Sequence, residues 1–242
     1  MALDRKTALV TGAGRGLGEA LARRLAEGGY AVAVHYRTNQ EGAERVAAEI
    51  RANGGEALAL GADLARESEA QRLVGELQAW AGRLDVLVNN AGLYQPEGLE
   101  ELTEEGWYAG LNSTASATFF ATRACLPLLR AAAAGRVVNI GDSSADRPTA
   151  RDLAVGYHVG KTGVLMLTRS FARQEAPHGI TVNQVSPGYL ENSADLDEAP
   201  PIPAGRYGSF EDIWHAVSFL LGPEAGYLNG SNLVISGGWN LR

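Results

Sequence analysis

Short aliphatic and β-branched runs alternate with longer Ala/Leu/Glu/Arg-rich segments along the whole 242-residue chain, the pattern of repeated βα units around a parallel sheet. The runs fall at 7–10, 31–35, 57–60, 85–89, 136–140, 181–185 and 233–235. They are apolar at successive positions instead of alternate ones, as strands must be when helices cover both faces of a sheet. Helical segments are expected at 18–27, 41–53, 67–80, about 114–134, 156–175 and 209–221. The chain therefore reads as an α/β fold of about seven strands. No charge block, repeat or Ser/Gly linker divides it, so one domain over 1–242 is expected. The stretch 188–208, with Pro200, Pro201 and Pro203, is too long for an ordinary connection. It reads as a substrate lid in which the prolines disfavour a regular helix.

Lys plus Arg total 21 against 28 for Asp plus Glu, a net charge of -7 with the wrong sign for adhesion to nucleic acid or anionic lipid. No apolar stretch approaches the roughly 20 residues that span a bilayer, and the N-terminus lacks the pattern of an export signal. The single cysteine, Cys125, can close no intrachain disulfide, and His35, His158, His178 and His215 are widely spaced. A cytoplasmic protein without a metal, membrane or nucleic-acid partner is expected.

Directly after the first run the chain reads Thr11, Gly12, Ala13, Gly14, Arg15, Gly16, Leu17, Gly18. Glycines permit positive φ and close backbone approach, and the unpaired N–H groups of a following helix attract a diphosphate. A strand–loop–helix of this kind at the start of a chain suits a dinucleotide and a Rossmann-type doubly wound sheet. The alternative is a turn that merely needs glycine, since Leu17 stands where the simplest dinucleotide fingerprint has one. The second run lacks the acid that would bind the adenosine ribose 2′-hydroxyl; it continues into His35, Tyr36, Arg37, and the first acid is Glu41. Arg15 and Arg37 could converge on a 2′-phosphate, so NADP(H) is expected over NAD(H), although either arginine alone also reads as a surface residue.

Tyr157 and Lys161 are one helical turn apart on a shared face. An ammonium beside a phenol favours the phenolate and would lower its pKa from about 10 toward a value useful for proton transfer. With only two lysines, Lys6 and Lys161, against 19 arginines, the lysine at this spot stands out; an incidental pair on a solvated face is the alternative.

Together these motifs resemble the short-chain dehydrogenases/reductases: the glycine loop; Asp63-Leu64; Asn89, Asn90, Ala91 and Gly92; Asn112; Tyr157 with Lys161; Asn183; Pro187-Gly188; and Gly237-Gly238. They span nearly the whole chain in order. The resemblance implies an oxidoreductase that moves a hydride between nicotinamide and a carbonyl or alcohol. Tyr157 would be the general acid, Lys161 would tune it and hold the nicotinamide ribose, and Asn112 would position a water. Gly12, Gly14, Arg15, Gly16, Leu17, Gly18, Arg37, Asp63, Leu64, Asn90, Ala91, Gly92, Tyr157, Lys161, Pro187 and Gly188 would hold the cofactor. A family serine that polarises the substrate carbonyl falls on Ser144 when counted thirteen residues back from Tyr157, and on Asp142 when anchored on the strand end; Ser143 lies between. Ser144 is the expectation, with Asp142 the alternative. Some pteridine reductases resemble this chain in such an Asp, and a carboxylate would suit a substrate with ring N–H donors.

Asn192 replaces a family threonine that contacts the cofactor, and Tyr94, Gln95 and Tyr189 are candidate pocket residues. Substrate candidates are a ketone or 3-oxoacyl thioester, then a pteridine-like C=N compound. A non-catalytic NADP(H) sensor is the competing class, and a sugar-nucleotide epimerase is opposed by the glycine spacing. The resemblance also implies a homo-oligomer, tetramer or dimer, with Val164, Leu165 and Leu167 as interface positions that would equally suit a core.

Overall fold

The computed structural model describes residues 3, 5–147, 150–193, 196 and 201–241. Seven strands form one sheet: β1 (Thr7–Val10), β2 (Ala31–Tyr36), β3 (Ala57–Gly61), β4 (Val86–Asn89), β5 (Arg136–Ile140), β6 (Thr181–Pro187) and β7 (Asn232–Ile235). All pairs are parallel, in the order β3-β2-β1-β4-β5-β6-β7. Successive strand residues feed opposite cores. Ala8, Val10, Val32 and Val34 pack under α1 (Gly16–Glu27), α2 (Gln40–Ala52) and α7 (Phe210–Leu221). Leu9, Ala33, Leu87 and Val137 pack under α3 (Glu67–Ala81), α5 (Ala117–Ala131) and α6 (Val155–Glu175). This two-sided burial is why the strands are apolar at every position. The order reverses between β1 and β4, so the loops leaving those two strands part and open a crevice, where ligands bind in sheets of this kind.

The helix expected over about 114–134 begins earlier, as α4 (Glu104–Leu111), and reaches α5 through a π-helical stretch, Asn112–Ser116. Thr103 starts it by accepting the Gly106 N–H at 3.0 Å. Gly106 and Gly110 hide this segment from a propensity reading, because glycine is a poor helix former. Gly110 is needed for packing: a Cβ there would stand 2.5 Å from the Tyr157 nitrogen. On the facing helix α6, a Cβ on Gly156 would stand 2.8 Å from the Trp107 carbonyl oxygen, and one on Gly160 would collide with Thr114 Oγ1. The two helices thus touch backbone to backbone where α6 carries Tyr157 and Lys161.

Below the crevice a row of amide side chains crosses the sheet in register, Asn89 beside Asn139, Asn139 beside Gln184, and Gln184 beside Asn232. Asn89 Nδ2 donates to Asn139 Oδ1 at 2.8 Å, and Asn139 Nδ2 donates to Thr168 Oγ1 of α6 at 2.8 Å. Gln184 Nε2 donates to Ser186 Oγ at 2.9 Å, whose hydroxyl donates to Asn232 Oδ1 at 2.6 Å. Val164 and Leu165 are 1% and 5% exposed, so they belong to the core; the exposed apolar residues of α6 are Val159 and Met166.

In the stretch expected as a lid, Pro200 lies outside the described residues, and no α-helix occurs among those described. Leu190 and Gly208 form a parallel bridge, with Gly208 N–H donating to the Tyr189 carbonyl at 2.9 Å. Gly156→Ala forces the α4–α6 contact apart and should cost about 1–3 kcal/mol, read as a lower urea midpoint with an unchanged slope.

Candidate active site

The glycine loop sits between β1 and α1 with Gly12 at φ +63° and Gly16 at φ +59°, a backbone region where a side chain is strained. Three side chains hold it. Asn90 Nδ2 donates to the Thr11 and Gly12 carbonyls at 2.9 and 3.1 Å, and Asn39 Nδ2 donates to the Gly14 carbonyl at 3.0 Å while its Oδ1 caps α2. His35 is the third: Gly12 N–H donates to its Nδ1 at 3.1 Å, which leaves the ring proton on Nε2 to donate to the Ala62 carbonyl at 3.0 Å. Burial lowers the His35 pKa to about 4 against the opposing pull of the Ala62 carbonyl and Asp63 charge, so the ring is neutral and its tautomer is set by these partners.

The loop opens on a cavity of about 490 Å³ whose walls include Arg15, Leu17, Arg37, Asp63, Leu64 and Asn112. A Cβ on Gly12 would approach Ala91 Cα to 3.1 Å, and Gly18 has no room for one between Asn90 and the Gly12 carbonyl. Such a close cradle fits a dinucleotide diphosphate. Among the described residues, neither Arg15 nor Arg37 is engaged by a carboxylate.

Arg15, Leu17, Asn90 and Gly92 also border a second cavity of about 800 Å³, so the two adjoin. Tyr157, Lys161, Pro187 and Gly188 line it, as do Tyr94, Tyr189 and Asn192, whereas Gln95 does not. Lys161 is 3% exposed, and its Nζ donates to the Ile140 carbonyl at the end of β5 at 2.6 Å. Burial brings the lysine down to about 8, with the Asp142 charge working the other way. The ammonium lies 5.5 Å from the Tyr157 ring centroid, over its face, and Tyr94 meets the same ring edge-on at 5.3 Å.

The expected fall in the Tyr157 pKa is reversed. Burial first, then the Asp142 and Tyr94 charges, raise the phenol above its ordinary value. Lys161, whose Nζ donates to the Ile140 carbonyl, does not offset them. The phenol is therefore held in its protonated, proton-donating form.

Of the three candidates for the third polar position, Ser143 is fully buried, accepts from Trp239 Nε1 at 3.0 Å, and has its carbonyl held by Asn240 at 2.9 Å. Asp142 and Ser144 both face the cavity, with Asp142 Oδ1 accepting the Ser144 N–H at 2.9 Å and also its hydroxyl. Ser144 is thus not the free donor expected from the spacing. Asn112 opens the π-helical stretch and accepts from the Ser116 hydroxyl at 3.1 Å, with its side chain on the cleft. Arg151, His158 and Trp239 also border the second cavity. Neither Arg151 nor Trp239 announces itself in the sequence; His158 alone has a signal, its place beside Tyr157.

The short-chain dehydrogenase model matches residues 6–199. The chain is 36% identical over 241 residues to the 3-oxoacyl-[acyl-carrier-protein] reductase of Staphylococcus aureus, covering 96% of this chain and 97% of that protein. It is 32% identical over 250 residues to glucose 1-dehydrogenase 2 of Bacillus subtilis, covering 99% and 96%. A gluconate 5-dehydrogenase from Burkholderia cenocepacia, solved in complex with NADP and tartrate, superimposes with a TM-score of 0.90 at 31% identity, covering 100% of this chain and 97% of that one. The chain belongs to the short-chain dehydrogenase family and is an oxidoreductase that interconverts carbonyl and alcohol groups.

His35 gives the cleft a pH signature. The unfolded ring takes a proton below about 6.5 and the folded ring only below about 4, so its stabilising effect is full above pH 6.5 and lost on acidification through that window. Between pH 7 and 4 the wild type should lose about 3 kcal/mol more unfolding free energy than His35→Asn, measured by urea denaturation.

Proposed function

We propose that the protein is an NADPH-preferring reductase of ketone or 3-oxoacyl-type substrates, with Tyr157 as the proton donor. The adjoining cavities support it most directly: the cradle for a dinucleotide borders the pocket that holds Tyr157, Lys161 and the two candidate polar groups, Asp142 and Ser144. NADP in the related gluconate dehydrogenase structure is in keeping with this reading. The glycine loop, Asn90 to Gly92, Asp63, Leu64, Pro187 and Gly188 would hold the cofactor, whose reduced nicotinamide supplies the hydride. Arg15 and Arg37, which no carboxylate of the described residues engages, would take the 2′-phosphate.

The chain's own residues supply the proton and its placement. As the carbonyl carbon is reduced, its oxygen gains negative charge and takes the proton of the Tyr157 hydroxyl, giving the alcohol. Lys161, anchored on Ile140, keeps a cation beside the phenolate that remains. Asn112 would order the route by which the proton is restored. Because burial favours the neutral phenol, reduction should hold through neutral pH, and alcohol oxidation, which needs the phenolate, should climb toward alkaline pH.

The 188–208 segment would act as a short lid, the chain as a homo-oligomer with Val159 and Met166 of α6 near a contact, and the cytoplasm as its site of action. No helix among the described residues is long and apolar enough to cross a membrane. A sensor reading is disfavoured by the intact Tyr157, Lys161 and Asn112, which a nucleotide binder does not need.

Tyr157→Phe should abolish reduction of a ketone panel while NADPH binding, followed by fluorescence, stays within about threefold; activity retained at the wild-type level would reject Tyr157 as the donor. Initial rates should favour NADPH over NADH, and Arg37→Ala should weaken NADPH selectively by roughly ten- to a hundredfold in KM.

A further inference from the structure

The wall facing Tyr157 is unusual in what it offers a substrate. A serine hydroxyl has one proton, and that of Ser144 is given to Asp142 Oδ1. The same oxygen also takes the Ser144 backbone N–H at 2.9 Å, so the two residues form a closed turn on the cavity surface. Further bonds fix that turn: Gly141 N–H to the Val185 carbonyl at 2.8 Å, Ser143 N–H to the Pro187 carbonyl at 3.0 Å, and Ala145 N–H to the Asp142 carbonyl at 2.9 Å. What remains toward the cavity is the second carboxylate oxygen of Asp142 and the lone pairs of Ser144. All are acceptors.

A ketone oxygen is an acceptor too, so it is served by the Tyr157 hydroxyl and not by this wall. A bare ketone would leave the second Asp142 oxygen without a donor once water is displaced, and an unsatisfied charged acceptor in a closed site is costly. A hydroxyl or N–H on the atom next to the reacting carbon removes that cost by donating to Asp142 while the carbonyl oxygen takes Tyr157. We propose that Asp142 and Ser144 form a paired acceptor that selects carbonyl substrates bearing an O–H or N–H donor beside the reacting carbon. This rests on the reductase reading and narrows its substrate class to α-hydroxyketones, of which keto-sugars are one source, or cyclic C=O and C=N compounds with a neighbouring N–H.

The other charged or titratable groups around this cavity are Arg15 on the glycine loop, Tyr94 on the loop after β4, Arg151 and Asp152 before α6, Tyr157, His158 and Lys161 on α6, and Tyr189 after β6. Asp142 acts electrostatically on Tyr157, His158 and Lys161, so its carboxylate is close to the reaction centre.

The test compares kcat/KM for hydroxyacetone and butanone, a pair that differs by a hydroxyl in place of a methyl, with a dihydropteridine and a 3-oxoacyl thioester as further arms. Wild type should prefer hydroxyacetone by roughly ten- to a hundredfold, and Asp142→Ala should bring the ratio to within about threefold of unity. Asp142→Ser, which adds a free hydroxyl donor, should turn the ratio toward butanone. Equal use of the two ketones by wild type, or a preference that survives in Asp142→Ala with normal thermal unfolding, overturns the acceptor wall and leaves the reductase reading standing. Failure to reduce any carbonyl compound overturns both.

Discussion

One hydrogen bond joins the two halves of the site: the Lys161 ammonium on the Ile140 carbonyl, 2.6 Å away at the end of β5. A buried ammonium without such a partner would lose its proton or pull water into the core. Its acceptor is a carbonyl freed where the strand ends, so sheet and helix must keep one axial register for the charge to stay. The glycines at 110, 156 and 160 let α6 lie close enough to α4 for that register to hold, and the amide row through Asn139 and Thr168 ties the same helix to the same strand seven residues further along. Tyr157 is placed as a result of these constraints, since it shares the helical face of Lys161.

The electrostatics around that face favour one chemical direction. Burial and a neighbouring carboxylate hold the phenol neutral, so the proton that reduction needs is in place and the phenolate that oxidation needs is disfavoured. The cation over the ring, held on the Ile140 carbonyl, does not reverse this. The local charge that counts for Tyr157 is therefore Asp142, on the loop that joins β5 to α6.

Much of this was legible in the residues. The seven apolar runs mark the strands to within a residue or two because burial on both faces leaves no polar alternation to blur them, and the glycine loop and the Tyr157/Lys161 spacing are local features of one segment each. What escaped depends on contacts between segments. Gly106 and Gly110 weaken the helical signal of α4, and their reason lies across the interface in α6. The pKa of Tyr157 follows from desolvation, which a four-residue spacing cannot report. Ser144 was favoured by counting back from Tyr157, yet its hydroxyl is claimed by Asp142 through a turn that only the paired ends of β5 and β6 create. His35 looked like the end of a strand, and its clasp on Gly12 exists because β2 and the loop after β1 lie side by side.

The amides that cross the sheet from Asn89 to Asn232 bind this interior to change as a block. Asn139 accepts from Asn89 and donates to Thr168, so an aliphatic replacement there strands a donor of Asn89 and an acceptor of Thr168 together. Single-step drift is thereby discouraged along the middle of the molecule. Variation in descendants of this sequence should collect instead on outward helix faces and around the pocket mouth, where new substrates can be admitted without disturbing the framework beneath.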